Sequence, residues 1–314
     1  MEIPVDAGLR ALYLQPIADP WGWSELVLKA TPLLLCAIGL CLCYRAGIWS
    51  IGSEGQFVAG ALCAGSVALQ ATALGGLTLP LAIAAGVLGG VMLASCSAWL
   101  RTRFGASEVL TTIMLNYIAI GILSWSVHGP LRDPSGFSFP ESALFDPAAT
   151  LSPLWSEARW TIATPAALCI VLATGWFLAR TLGGFQLRIQ GLDQRAAAFA
   201  GFSTTGIVWL VMVTSGALAG FAGAAEVLGP IGQLTEHVAL GYGYGAIIVA
   251  FIGRLHPIGI VFASMLLSLT YLGGENLQME TGVSRSVTAL LQGLMLMYLL
   301  AFDGLHARYL SRAC

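Results

Sequence analysis

ARTLGGFQLRIQGLDQRAAAFAGFSTTGIVWLVMVTSGALAGFAGAAEVLG, residues 179–229, joins a polar half to an apolar one. The polar half sets Arg180, Arg188 and Arg195 against a lone Asp193. The apolar half is long enough to cross a membrane and is built largely from small residues. Within the polar half, 192–202 has the spacing of a short amphipathic helix. Leu192, Ala196, Phe199 and Ala200 fall on one side, with Gln194 and Arg195 off it. Such a helix either lies on the lipid headgroups or receives force from a soluble partner.

The rest of the chain places this stretch in a membrane protein. Hydrophobic residues make up 57% of the 314 and charged residues 10%, and the mean hydropathy is +0.81. Soluble domains carry roughly 25% charged residues, so most of this chain belongs in lipid. Backbone in lipid closes its own hydrogen bonds, as helices or as a barrel. Long apolar runs in place of ten-residue alternations choose helices. The expected fold is all-α, a polytopic bundle of about 9–10 transmembrane helices with a re-entrant or half-helix segment.

Spans are expected near 26–44, 54–72, 77–100, 105–125, 161–179, 206–229, 257–273 and 286–302. GYGYGAIIVAFIG (241–253) is short for a crossing, which takes ~20 residues. Residues 1–25 read as an N-terminal lead-in, 26–305 as the membrane domain and 306–314 as a tail. The polar segments are 128–160 and 181–205. If Arg45, 101–105, 180–205, Arg254 and 303–314 share one side, that side holds nine arginines against five basic residues opposite. The excess marks the cytoplasmic face, with 128–160 outside and the C-terminus inside.

Several function classes drop out. A net charge of −2 gives no basic footprint for nucleic acid. There is no G-x-x-x-x-G-K-[ST] loop for ATP, and the four histidines are dispersed without metal-ligand spacing. The cysteines lie mostly in apolar runs and read as core-filling thiols. Such a chain needs an external energy source or runs downhill.

The polar residues inside apolar surroundings are the candidates for chemistry. In SIGSEGQ (50–56), Ser53 and Gln56 have capping-box spacing, so a helix is expected to begin there with Glu54 favoured by its dipole. The same turn, with Ser50, either caps a helix or borders a transport path. Asn116 sits mid-span in GASEVLTTIMLNYIA (105–119) and needs a partner, from another helix or a pore; Thr111 and Thr112 are placed to share its face. Glu226 is either a buried functional acid or hydrated near the headgroups. Tyr242 and Tyr244 either line a cavity on a half-helix or anchor at the interface. Gly216–Gly220 and Gly86–Gly90 let helices approach closely. An ion-coupled secondary transporter is the alternative to an ATP-driven one, although Glu54 and Glu226 have no basic partner within their spans. An intramembrane enzyme would need a constellation of His, Asp or Cys that the chain does not offer.

Four segments carry a resemblance: 184–229, 50–56, 105–119 and GYGYGAIIVAFIGRLHPIGIV (241–261). Together they resemble the permease subunits of ATP-binding-cassette importers for nucleosides and simple sugars, within the branched-chain amino acid/ribose-type superfamily. The likeness extends over about 30–305. SIGSEGQ is similar to that family's N-I-G-x-E-G-Q, with Ser50 at the asparagine position, and Ser107 likewise replaces an asparagine in G-A-N-E-V. The resemblance implies a non-catalytic subunit that forms a translocation path for a small polar solute. It also implies a coupling helix, here Gly191, Leu192, Asp193, Arg195, Ala196, Ala197, Ala198, Phe199 and Ala200, that docks on an ATPase subunit. Ser50, Glu54, Gln56, Asn116, Glu226, Tyr242 and Tyr244 are the residues expected along the path. The implied partners are that ATPase, which uses ATP and Mg, a second permease copy or paralogue, and an extracytoplasmic binding protein. No cofactor is expected in this chain, and the implied location is a bacterial inner membrane.

Overall fold

The computed structural model describes residues 13–136, 139–155, 158–238 and 241–281, with isolated positions between 290 and 301. The span expected at 286–302 and the tail at 306–314 lie outside the described residues, apart from those isolated positions. After a helical turn at Gln15–Ala18 come α1 (Pro20–Arg45), α2 (Ser53–Gln70), α3 (Thr78–Phe104) and α4 (Glu108–His128). A polar segment with a two-stranded hairpin, β1 (Pro153–Trp155) and β2 (Ala158–Thr161), leads to α5 (Ala163–Arg180). Next are α6 (Leu182–Leu192), α7 (Gln194–Phe199), α8 (Thr204–Glu226), α9 (Tyr242–Ile252) and α10 (Pro257–Thr281).

Six of these, α1, α3, α4, α5, α8 and α10, are long and apolar enough to cross a membrane. The 18-residue α2 carries Glu54 and Gln56 in its first turn, and the 11-residue α9 is half the length of a crossing. The fold is thus the expected helical membrane bundle with a half-helix. The first span starts at Pro20, where Asp19 accepts from the Trp21 amide, earlier than the expected 26. The hairpin was not expected.

The centre of the bundle is a seam of glycines. α8 packs along α3, α2 and α1. A Cβ on Gly90 would lie 2.1 Å from the Gly216 carbonyl oxygen, and one on Gly60 would lie 2.4 Å from the Gly220 backbone. The two small-residue segments singled out in the sequence therefore face each other. Close packing of this kind replaces the hydrophobic drive that lipid cannot supply. α1 is the most enclosed span, 89% buried over its apolar window, whereas α4 and α5 are each 28% buried.

The connections sort to two ends. At one end Arg45 Nε donates to the Leu255 carbonyl (2.7 Å), the Trp49 amide donates to Glu108 (3.3 Å), and Arg101 pairs with Glu108. A Cβ on Gly191 would meet the Arg45 carbonyl at 2.0 Å, which draws α6 to the same end. At the other end, amides of Ser142, Phe145 and Leu151 donate to carbonyls of Leu234, Gly232 and Leu228. Arg159 there pairs with Glu25 (3.0 Å) and Lys29 with Glu275 (2.8 Å).

Candidate functional site

Two helices begin inside the bundle, and one carboxylate holds both beginnings. Glu54 lies in the first turn of α2. Its Oε1 accepts from the Gly241 amide at 3.0 Å and its Oε2 from the Gly243 amide at 2.7 Å, the opening residues of α9. The N-terminus of α9 thus directs its positive end at an acid that itself lies in the first turn of α2, an arrangement that supports a buried carboxylate. Gly243 is required by this contact, since a Cβ would lie 2.2 Å from the Glu54 nitrogen. Gly245 packs against Leu33, near the midpoint of α1, so the junction lies deep in the bundle.

Asn116 ties the junction to α4. Its Oδ1 accepts from the Gly55 amide (2.9 Å) and its Nδ2 donates to the Ile51 carbonyl (2.9 Å) and to the Tyr244 hydroxyl oxygen (3.4 Å). Thr112 Oγ1 accepts from the Ile51 amide (3.2 Å), and Tyr44 donates to the Ser50 carbonyl (2.9 Å). The Ser50 hydroxyl accepts from the Gly52 amide at 3.3 Å. The irregular 46–52 backbone is therefore satisfied by side chains from α1 and α4 and by Ser50 itself, as non-helical backbone inside a membrane must be.

The capping box is not formed. Gly52 is the N-cap of α2, without a side-chain cap, and Ser53 is already helical. Ser53 therefore cannot reach the amide that a cap residue would serve, and the pattern marks the helix start one residue late. Ser53 Oγ and Gln56 Oε1 are buried without a hydrogen-bond partner among the described residues.

Of the seven residues expected along a path, Tyr244 alone is well exposed in the single chain, at 39%. Ser50, Glu54, Gln56 and Asn116 are buried around the junction, and Tyr242 is buried edge-on against Phe57 with ring centroids 5.9 Å apart. Glu226 lies elsewhere, at the end of α8, buried and within electrostatic reach of Lys29 and Arg159. Its cations come from α1 and β2, which spacing within its own span could not reveal. Tyr117, exposed beside Asn116 on α4, escaped the sequence reading because a tyrosine in an apolar run carries no distinguishing pattern. The pairing of Glu54 with GYGYG was likewise unreadable, although an acid and a glycine-rich helix start are its only two ingredients.

The polar stretch between α5 and α8 differs from the single amphipathic helix expected over 192–202. α6 ends at Leu192, and Asp193 caps α7 by accepting from the amides of Arg195 (2.8 Å) and Ala196 (3.4 Å). An extended Asp193 breaks the helix because its carboxylate satisfies the amides that a continuous helix would bond to its own carbonyls. Ala197 is fully buried, while Leu192 and Phe199 are 88% and 96% exposed. Gly191, Ala196, Ala198 and Ala200 are also exposed.

These features define a multi-pass membrane protein built around a mid-bundle helix junction, with a two-helix element projecting from one end. Residues 23–300 match the family described as branched-chain amino acid transport system / permease component, and the chain belongs to that family. It is a permease subunit of an ATP-binding-cassette importer and not an ion-coupled secondary transporter. The chain is 30% identical over 310 residues to the glucose ABC transporter permease protein TsgB13 of Haloferax volcanii, covering 96% of this chain and 81% of the relative. It is 28% identical over 298 residues to the guanosine ABC transporter permease protein NupP of Bacillus subtilis, covering 94% and 85%. A structure of PsaBC from Streptococcus pneumoniae in complex with Fab aligns over 94% of this chain and 95% of its own, at 14% identity and a TM-score of 0.48.

Proposed function

We propose that the chain imports a nucleoside or a related base or sugar, delivered by an extracytoplasmic binding protein. Kinship to permeases for guanosine, nucleosides and glucose supports this cargo class. The path runs past Tyr244 and Tyr117, between this chain and a second permease copy or paralogue. The Glu54 junction sets the position of α9, which presents Tyr244. A tyrosine hydroxyl and ring suit a solute that is polar at its edge and flat or apolar on its face.

The α6–α7 element docks on the ATPase, where ATP and Mg are consumed, so this subunit performs no catalysis itself. The observation that carries this reading is the almost complete exposure of Leu192 and Phe199 on an element anchored by buried Ala197 and by Gly191. The docking end faces the cytoplasm, the 128–160 segment faces outward, and the C-terminus is cytoplasmic in a bacterial inner membrane. The arginines at the docking end support that orientation. The test is reconstitution of the permease with its ATPase and binding protein, with uptake measured for a panel of nucleosides, bases and sugars. Uptake of a nucleoside or sugar that requires both ATP and the binding protein is expected. Uptake driven by an ion gradient in the absence of ATPase would overturn the reading.

A further inference from the structure

Two cavities flank α5. One, of about 810 Å3, opens at the end of the bundle that carries α6 and α7, and its lining includes Arg45, Arg188, His256, Leu172 and Trp176. Among the described residues its lining contains no acidic side chain. On the opposite side of α5 lies a slot of about 300 Å3, lined by apolar side chains such as Ile170 and Phe177 together with two threonines. α5 is thus bordered on one side by a cationic mouth and on the other by an apolar slot.

The cations are held in place by the backbone. Arg45 Nε donates to the Leu255 carbonyl at 2.7 Å and an Arg188 Nη to the Leu178 carbonyl. A guanidinium carries five N–H donors, so these contacts orient each group without exhausting it. From this mouth the cavity runs along α5 to Leu172, roughly 12 Å before the end of the helix at Arg180. A soluble protein that met the arginines could not also follow a membrane span to that depth. An amphiphile with an anionic head and a hydrocarbon tail fits both parts.

We propose that this cavity is a binding site for an anionic phospholipid, its phosphate on Arg45 and Arg188 and an acyl chain along Leu172 and Trp176. Basic pockets between membrane helices suit such headgroups. The bound lipid braces α5, which is only 28% buried over its apolar window, against α1 and the start of α10. The mouth of the cavity is lined by Arg188, Gly191 and Leu192 in the last turns of α6, so the lipid's presence stiffens the junction of α6 with α7.

The test is native mass spectrometry of the purified transporter complex, stripped of lipid and offered phosphatidylglycerol, phosphatidylcholine or inorganic phosphate. Phosphatidylglycerol is expected to be retained and to raise the melting temperature, with the other two inert. Arg188→Gln weakens retention roughly fivefold, the effect of one arginine near a headgroup. Gly175→Leu leaves the cations in place but fills the cavity, since a Cβ there meets only Pro257 at 3.8 Å, and also reduces retention. Should either variant fail to fold, the other decides. Equal retention of phosphatidylcholine, stabilisation by inorganic phosphate alone, or unchanged retention in a folded variant would each overturn the proposal.

Discussion

Glu54 ties the start of α2 to the start of α9 through one side chain. Its two oxygens each accept from a backbone amide of the α9 start, at 3.0 and 2.7 Å. Glu54→Gln keeps the size but turns one acceptor into a donor that faces an amide. A hydrogen bond to a charged group contributes about 1.5–3 kcal/mol, so a loss of about 2 kcal/mol is expected. The variant should melt earlier in detergent and transport poorly even at a temperature where it stays folded. Wild-type melting and uptake would show that the carboxylate is dispensable. Tyr244→Phe removes only the hydroxyl that accepts from Asn116 at 3.4 Å. Stability should change by less than about 0.5 kcal/mol, as for an exposed site, while the KM for uptake rises. An unchanged KM would remove Tyr244 from the path.

At the scale of elements, the α3–α8 seam and the α6–α7 projection make opposite demands on substitution. Gly90 has no room for a side chain, because its Cβ position is 2.1 Å from the Gly216 carbonyl. Gly90→Leu should separate the two helices and abolish recovery of folded protein, read by size-exclusion of detergent extracts. On α7 the exposed and buried residues have different roles. Phe199 is 96% exposed, so Phe199→Ala should leave the melting temperature unchanged while lowering cargo-stimulated ATP hydrolysis and retention of the ATPase. Ala197 is fully buried, and a tryptophan there overpacks the loop at a cost of about 1–3 kcal/mol. Ala197→Trp would therefore confound uncoupling with loss of folding, whereas Ala198 is exposed. Retained coupling in Phe199→Ala would move the docking contact elsewhere on this end.

For the whole molecule, the separation of connections to two ends makes sidedness measurable. Ser135 lies in the segment after α4 and Gln194 opens α7 at the opposite end, and both are exposed. In intact cells a membrane-impermeant thiol reagent should label Ser135→Cys and not Gln194→Cys, on a background freed of exposed Cys96 and Cys169. The reverse result would invert the orientation inferred from the arginines.

The class and most of the described span positions were legible in the sequence because they follow from local quantities, although α2, over the expected 54–72, is not apolar enough to count among the six crossings. An apolar run about 20 residues long has one stable home, and arginine excess accumulates along the loops of one side. The glycines of α3 and α8 announced close packing for the same local reason, although not that they meet each other. What the tertiary structure alone decided were the relations between distant segments. Glu54 finds Gly241 and Gly243, Asn116 finds Gly55 and Ile51, and Glu226 comes within reach of Lys29. The rotation of α7, which buries Ala197 and exposes Phe199, is of the same kind. A buried polar group must find a partner, but its own stretch of chain does not say which one, because several helices offer equivalent backbone donors. Packing of the glycine seam settles the choice by fixing which helix ends can approach.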